Sequence, residues 1–145
     1  MSTFFLILLA LLGGAAVTLQ GQFMGLMDVG IGTRESVFIT YASGGLVVTI
    51  IMLFMRGGNL RAVASVPWFA LMAGLLGLVI VGTIGYTVPR LGLTTALTLV
   101  IAAQFVASAL IDHFGWFGAP VRTFDWYRLI GLGILILGVW LTTRR

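Results

Sequence analysis

Apolar residues run along this chain in long continuous stretches rather than in alternation with polar ones. Five stretches carry no charged side chain: Thr3–Met27, Ser36–Met55, Ala62–Pro89, Leu91–Ile111 and Leu129–Thr143. A helix that crosses a bilayer needs about 20 apolar residues, and the first four stretches meet that length. Trp126 and Tyr127, residues typical of a membrane interface, extend the fifth stretch. The pattern predicts five transmembrane helices, at about 3–27, 36–55, 63–88, 91–111 and 127–143.

The connections between these helices are short and rich in turn-forming residues. The sequence RGGNLR at 56–61 predicts a tight turn. Pro67 suits the first turn of the third helix, and Pro89 followed by Arg90 predicts its end. The longest connection, at 113–128, is rich in glycine, proline and aromatic residues, which indicates a loop at the membrane interface. We therefore expect residues 1–145 to form a single transmembrane domain.

Composition agrees with an all-α integral membrane protein. The chain is 60% hydrophobic and 8% charged, whereas soluble domains are about 25% charged. Its eight basic residues are all arginines, placed singly beside apolar stretches. They indicate membrane-flanking positions rather than a nucleic-acid surface, so we expect no nucleic-acid partner. With no cysteine and a single histidine, no metal site and no cofactor are predicted.

The arginines are divided equally between the two membrane faces. With five spans, the face that holds the N-terminus receives Arg56, Arg61, Arg122 and Arg128, and the other face receives Arg34, Arg90, Arg144 and Arg145. Orientation in the membrane is set by the bias of basic residues in short loops, and here that bias is absent. The even count predicts dual topology, in which the chain inserts in both orientations. A weaker determinant in the first helix is the alternative.

Several motifs resemble those of a known family. They are LQGQFMG, ESVFITYASGGLV, PWFALMAGLLGLV, VPRLGLTTALTLVIAAQFVASALIDHFG and RLIGLGILILGVWL. Together they resemble the small five-helix proteins of the YdcZ-like family in the drug/metabolite transporter superfamily. Met24 stands where that family commonly has an asparagine, four residues after Gln20.

The resemblance implies a multi-pass protein of the bacterial inner membrane. Its relatives work as antiparallel pairs, which would make this chain an antiparallel homodimer, a ten-helix assembly with an inverted repeat. The implied activity is secondary transport, the export of a small organic metabolite or toxic compound, with proton coupling as one possible energy source. A small dual-topology ion channel and a non-transporting membrane subunit that pairs with another protein are the alternatives. No sequence motif predicts an enzyme.

Polar residues inside the spans are the candidate substrate contacts, because lipid offers them no hydrogen-bond partner. Gln20 lies in the first helix, while Gln104, Ser108 and Asp112 recur at every fourth position of the fourth helix, on one face. From the predicted helix ends, each glutamine lies about 10 Å from an end, at opposite faces. An antiparallel pair would bring Gln104 of one chain to the depth of Gln20 of the other. The alternative is that these amides only join neighbouring helices.

Glu35 is the only glutamate, and it stands at the start of the second helix. An acid there suits the helix dipole, with Gly32 or Thr33 as the cap. Alternatively, Glu35 is a proton-coupled or cation-attracting acid, and Tyr41, about two turns further on, lines the same vestibule. Both are candidate substrate-binding residues. Asp112 and His113 are predicted to form an interface pair.

Small residues mark candidate contacts between helices, because they let backbones approach closely in lipid. In the fifth helix these are Gly131, Gly133 and Gly138. Their stretch, GLGILILGV, resembles the dimerisation stretch of small multidrug resistance proteins. We predict that these glycines contact the second protomer, with packing inside one protomer as the alternative.

Overall fold

The protein folds as a set of apolar α-helices, seen in a computed structural model that describes residues 2–122 and 125–144. The α-helices are α1 (Thr3–Ile31), α2 (Thr33–Phe54), α3 (Ala73–Leu91), α4 (Leu93–Phe114) and α5 (Trp126–Thr143). Short 3₁₀ helices span Leu60–Ser65, Trp68–Met72 and Trp116–Gly118. The described residues contain no strand, and five helical segments are long and apolar enough to cross a membrane. The predicted all-α membrane fold with five spans is confirmed.

Two helices run beyond the ends expected from charge alone. The first helix was predicted to stop at Met27, but α1 continues through Asp28 to Ile31. Asp28 does not end the helix because its carboxylate has partners on other helices, described below. Gly32 ends it instead, at φ 98° and ψ 161°, where only glycine is comfortable. Similarly, α4 extends past Ile111 to Phe114 and ends at Gly115, a left-handed glycine cap.

The third span is less regular than predicted. After α2, Arg56 and the two glycines that follow adopt positive φ, and a 3₁₀ helix takes the place of the predicted helix start at 63. Val66 and Pro67 are extended, as expected for a residue before proline and for a proline that opens a helix. Pro89 does not end this span, because α3 continues for two residues beyond it, to Leu91.

The chain divides into two compact units, residues 1–90 and 91–145. The first unit contains α1, α2 and α3, and its buried residues all lie towards one end, near Gly32: Gly21, Met24, Gly25, Asp28, Ser36, Ile84, Gly85 and Val88. The remaining lengths of these helices are largely exposed, as suits lipid contact. The second unit contains α4 and α5. The expectation of one five-helix domain stays a prediction.

The two direct helix-to-helix links have nearly the same structure. Gly32 joins α1 to α2 at φ 98° and ψ 161°, and Gly92 joins α3 to α4 at φ 82° and ψ 150°. The buried positions before the two links also correspond. Counted back from the link glycines, three buried positions of α1 have buried counterparts in α3: Met24 and Ile84, Gly25 and Gly85, and Asp28 and Val88. Counted forward from the same glycines, buried Ser36 corresponds to buried Ala96. The two links therefore share their backbone conformation and the spacing of the buried positions around them, a correspondence that the sequence alone did not reveal.

Candidate functional site

A buried carboxylate joins the ends of the three helices in the first unit. Asp28, in the last turn of α1, accepts a hydrogen bond from the Thr33 hydroxyl in the first turn of α2. Its other oxygen accepts from Arg90 Nη1, at the end of α3, over 2.9 Å. The Asp28 side chain is only 4% exposed, whereas that of Arg90 is 48% exposed. We call Asp28, Thr33 and Arg90 the polar junction.

Arg90 is held by more than its ion pair. Its guanidinium lies over the ring of Tyr86, 3.5 Å from the ring centroid. The same Nη1 that contacts Asp28 also donates to the Tyr86 carbonyl. The bond to Asp28 is therefore made by one nitrogen that is shared with a second acceptor, and it is not the two-pronged arrangement that makes arginine–carboxylate pairs strongest.

Beneath the polar junction, α1 and α3 cross at two glycines. A Cβ added to Gly25 would lie 2.9 Å from Val88 Cγ1, and one added to Gly85 would lie 3.1 Å from Met24 Cε. Ser36 of α2 is fully buried at the same level, and its Oγ would be 3.6 Å from a Cβ on Gly85. Met24 is thus a packing residue here. Small residues bring the three backbones together, as is usual between helices in lipid.

Glu35 and Tyr41 lie in the first unit but do not join the polar junction. Glu35 is exposed in the first turn of α2, and its carboxylate folds back towards Gly32. Among the described residues it forms no ion pair. Tyr41 is half-buried, and its hydroxyl lies against Gly77 of α3, where the missing side chain leaves room for it.

Gln20 lines a groove between α1 and α2. The groove measures about 380 Å³, and its other polar lining residues are Thr40 and Ser43. The hydroxyls of both donate to backbone carbonyls of α2, at 2.8 and 3.2 Å. The Gln20 amide has no hydrogen-bond partner among the described residues. It is therefore the polar group of this groove that stays available to a ligand.

A second groove lies between α4 and α5 in the second unit. It measures about 510 Å³ and is lined by Phe105, Ser108, Ala109, Asp112, Asp125, Tyr127, Arg128, Gly131 and Leu132. Asp112 is 3.8 Å from Arg128, with both side chains partly exposed, and the His113 ring meets the ring of Phe114 edge-on. Asp125 caps α5 by accepting from the Arg128 N–H at 2.8 Å.

Gln104 does not line that groove, although it shares α4 with four residues that do. It is exposed on α4, and its amide has no hydrogen-bond partner in the described part of the chain. The predicted difference in depth between Gln20 and Gln104 was based on helix ends at Met27 and Ile111, which are not the ends found. Each amide lies about three turns, roughly 18 Å, along its own helix from its link glycine. The placement of the two amides in opposite membrane halves stays a prediction.

The three glycines predicted for dimer contacts face open space within their unit. A Cβ added to Gly131, Gly133 or Gly138 would meet no atom of the described second unit within 4 Å. Packing of α5 against α4 does not require them to be glycine. Contact with a second protomer stays a prediction for these positions.

Sequence reasoning missed Asp28 and Arg90 as partners. Asp28 was read as the boundary of the first span, and Arg90 as a flanking charge. The sequence did contain a sign that they could pair. Each residue lies close to a glycine that links two predicted helices, Gly32 in VGIG and Gly92 in RLG. Within residues 2–122 and 125–144, no three histidine, cysteine or acidic side chains come together.

Five helices long and apolar enough to cross a membrane, a buried carboxylate paired with an arginine, and a groove lined by an amide fit a multi-pass membrane protein of the transporter class. The family described as "Putative inner membrane exporter, YdcZ" matches residues 5–141, so the chain belongs to the YdcZ family. It is 30% identical over 106 residues to the inner membrane protein YdcZ of Escherichia coli (strain K12), which covers 70% of this chain and 69% of that protein. No solved structure matches it. The predicted family and inner-membrane location are confirmed.

Proposed function

We propose that this protein is a secondary exporter of a small organic compound and that it works as an antiparallel homodimer. Unpaired amides carry the proposal: Gln20 and Gln104 both lie within membrane spans, and neither side chain has a hydrogen-bond partner among the described residues. A polar group in the bilayer needs a partner, which water, a substrate or a second protomer has to supply. Membership of an exporter family supports the first two of these.

The two grooves support a substrate that has both polar and apolar parts. At about 380 and 510 Å³ they lie within the range of small-molecule sites, roughly 300–1,000 Å³. Both are mainly apolar, and each includes a polar candidate residue from within a helix, Gln20 in the first groove and Ser108 in the second. We propose Gln20, Gln104 and Ser108 as the substrate contacts. Tyr41 and Glu35 are proposed as neighbours of the path rather than direct ligands.

The distribution of charge supports antiparallel pairing. One arginine from each membrane face is engaged by an aspartate, Arg90 by Asp28 and Arg128 by Asp112. When one arginine on each face is neutralised in this way, the numbers of unpaired arginines on the two faces stay equal, so neither orientation gains an advantage. The open glycine positions of α5 offer a surface on which a second copy can pack closely.

The energy source that we propose is an ion gradient, with protons as the first candidate. The chain has no nucleotide-binding loop, so a secondary mechanism is the simplest one. Acidic residues next to the bilayer core are the groups able to bind a proton or another cation, and in the first unit these are Asp28 and Glu35.

Flux into proteoliposomes tests the proposed function. A panel of small amines, amino acids and organic acids is first screened for compounds that raise the melting temperature of the purified protein. The best of them is then followed in liposomes with an imposed pH gradient and with the gradient collapsed. We expect gradient-driven, saturable flux that Gln20→Ala lowers at least tenfold.

The matched control is Gln22→Ala, which removes the same amide two positions along α1, where it does not line the groove. This variant should keep wild-type flux. Flux that does not saturate, or that responds equally to the two alanine substitutions, would contradict a carrier with Gln20 in its site.

A further inference from the structure

We propose that the Asp28–Arg90 ion pair is a latch between α1 and α3, which opens and recloses as the protein moves between conformations. Only the last step of the argument, the link to transport, rests on the proposed function. The pair lies at the end of the first unit where α1, α2 and α3 are packed together, and the remaining lengths of these helices are largely exposed. Parting α1 from α3 at this point would open the packed end of the unit.

The chain itself shows that packing does not need a carboxylate here. Val88 of α3 corresponds to Asp28 of α1, since each precedes its link glycine by one helical turn and each is buried. Val88 fills its position by packing on Gly25. Buried ion pairs often contribute no more stability than apolar residues of similar size. A charge pair at the position where the second link is preceded by valine therefore points to an interaction that has to break.

Both partners have somewhere to go when the pair breaks. Arg90 is half exposed, and it is still held by the Tyr86 ring and carbonyl. Asp28 keeps the hydrogen bond from the Thr33 hydroxyl. An opened latch thus leaves each side chain with one of its hydrogen-bond partners, which lowers the cost of opening.

Ser36 reports whether the latch opens. It is fully buried beside the α1–α3 crossing, on α2, within one turn of the junction residue Thr33. The chain has no cysteine, so Ser36→Cys introduces a unique thiol. Its rate of reaction with a water-soluble maleimide, in permeabilised membrane vesicles, measures how often this end becomes accessible.

Three backgrounds are compared in that assay: the otherwise native chain, Asp28→Asn, and Asp28→Val combined with Arg90→Ala. We expect labelling of the native background to be at least tenfold faster than in the apolar double variant, whose crossing stays closed. We expect Asp28→Asn to label several-fold faster than the native background, since it weakens the bond to Arg90. Equal rates in the native and apolar backgrounds would overturn the latch. If the double variant does not fold, equal rates in the native and Asp28→Asn backgrounds would do so.

The control thiol is Ala96→Cys, at the corresponding buried position after the second link glycine. Its labelling should be the same in all three backgrounds. A parallel rise at Ala96→Cys and Ser36→Cys in the Asp28→Asn background would mean general unfolding, and Asp28 would then be a structural residue only.

Flux connects the latch to transport and keeps the two proposals apart. The apolar double variant should remain folded yet transport at least tenfold more slowly than the native protein. Wild-type flux from that variant would overturn the latch while leaving the exporter function intact. A native protein that transports none of the panel compounds would count against the proposed function, and the labelling rates would still decide for or against the latch.

Discussion

The crossing of α1 and α3 makes a sharp prediction for Gly25→Ala. The new Cβ would lie 2.9 Å from Val88 Cγ1, closer than real Cβ contacts occur, and valine cannot readily move its branched side chain away. Forcing a methyl group into a packed site costs about 1–3 kcal/mol. Replacing glycine by alanine inside a helix also stabilises the folded state by about 0.5–1 kcal/mol. The net loss in the free energy of unfolding should be about 1 kcal/mol.

A matched glycine-to-alanine substitution has the same gain in helix propensity, so that gain cancels in the comparison. Gly14→Ala lies in the same helix, but its Cβ would have no neighbour within 4 Å. The two variants should therefore differ by about 1–3 kcal/mol, the overpacking cost alone. Gly85→Ala should fall between them, because its nearest neighbour is the flexible end of Met24, at 3.1 Å. Reversible unfolding in mixed detergent micelles measures all three.

Rescue identifies the clash as the cause. Val88→Ala removes the methyl group that Gly25→Ala would meet, so the double variant should recover much of the loss, with a coupling energy of about 0.5–3 kcal/mol. If Gly25→Ala is no less stable than Gly14→Ala, or if Val88→Ala gives no rescue, α1 and α3 do not cross as described.

Three further outcomes are expected. Glu35→Gln should keep wild-type flux. It should lower the free energy of unfolding by about 0.3–1 kcal/mol, because it removes an acid from the first turn, where it interacts favourably with the helix dipole. Loss of gradient-driven flux would instead make Glu35 the coupling acid. The double variant Arg144→Ala with Arg145→Ala should make the N-terminal face mainly cytoplasmic, which labelling of single cysteines from each side of the membrane would show. If the chain with native arginines is labelled from one side only, dual insertion is ruled out. Gly92→Ala, at φ 82°, should lose about 1–3 kcal/mol of stability in the same unfolding assay, while Gly133→Ala should not; equal stability would show that the link tolerates a side chain.

Gln20 and Glu35 show how far candidate residues can be chosen from the sequence. Both were selected as polar groups in or beside apolar helices, because a polar group in lipid needs an explanation. The structure separates them: Gln20 lines a groove without a partner, whereas Glu35 is exposed at a helix start. Sequence position could not distinguish the two, because helical periodicity says which residues share a face but not which neighbour covers that face.

The polar junction marks the limit of reading this chain one residue at a time. Asp28 and Arg90 are 62 residues apart, and each looked like a charge that ends a span. Because the two side chains pair, α1 ends later than the sequence predicts, and Gln20 lies further from the end of the helix. The pair also becomes the candidate for a conformational switch.

The sequence by itself determined the class of protein and its spans, because the free energy of moving a helix into lipid depends on local composition, which can be read directly along the chain. Five apolar stretches, the family motifs and the even arginine count needed no coordinates. Only the tertiary structure decided where α1 ends, which glycines lie at a crossing and which amides remain unpaired. A charge or a glycine in a membrane helix acquires its role from what another helix places beside it, and that neighbour is distant in sequence.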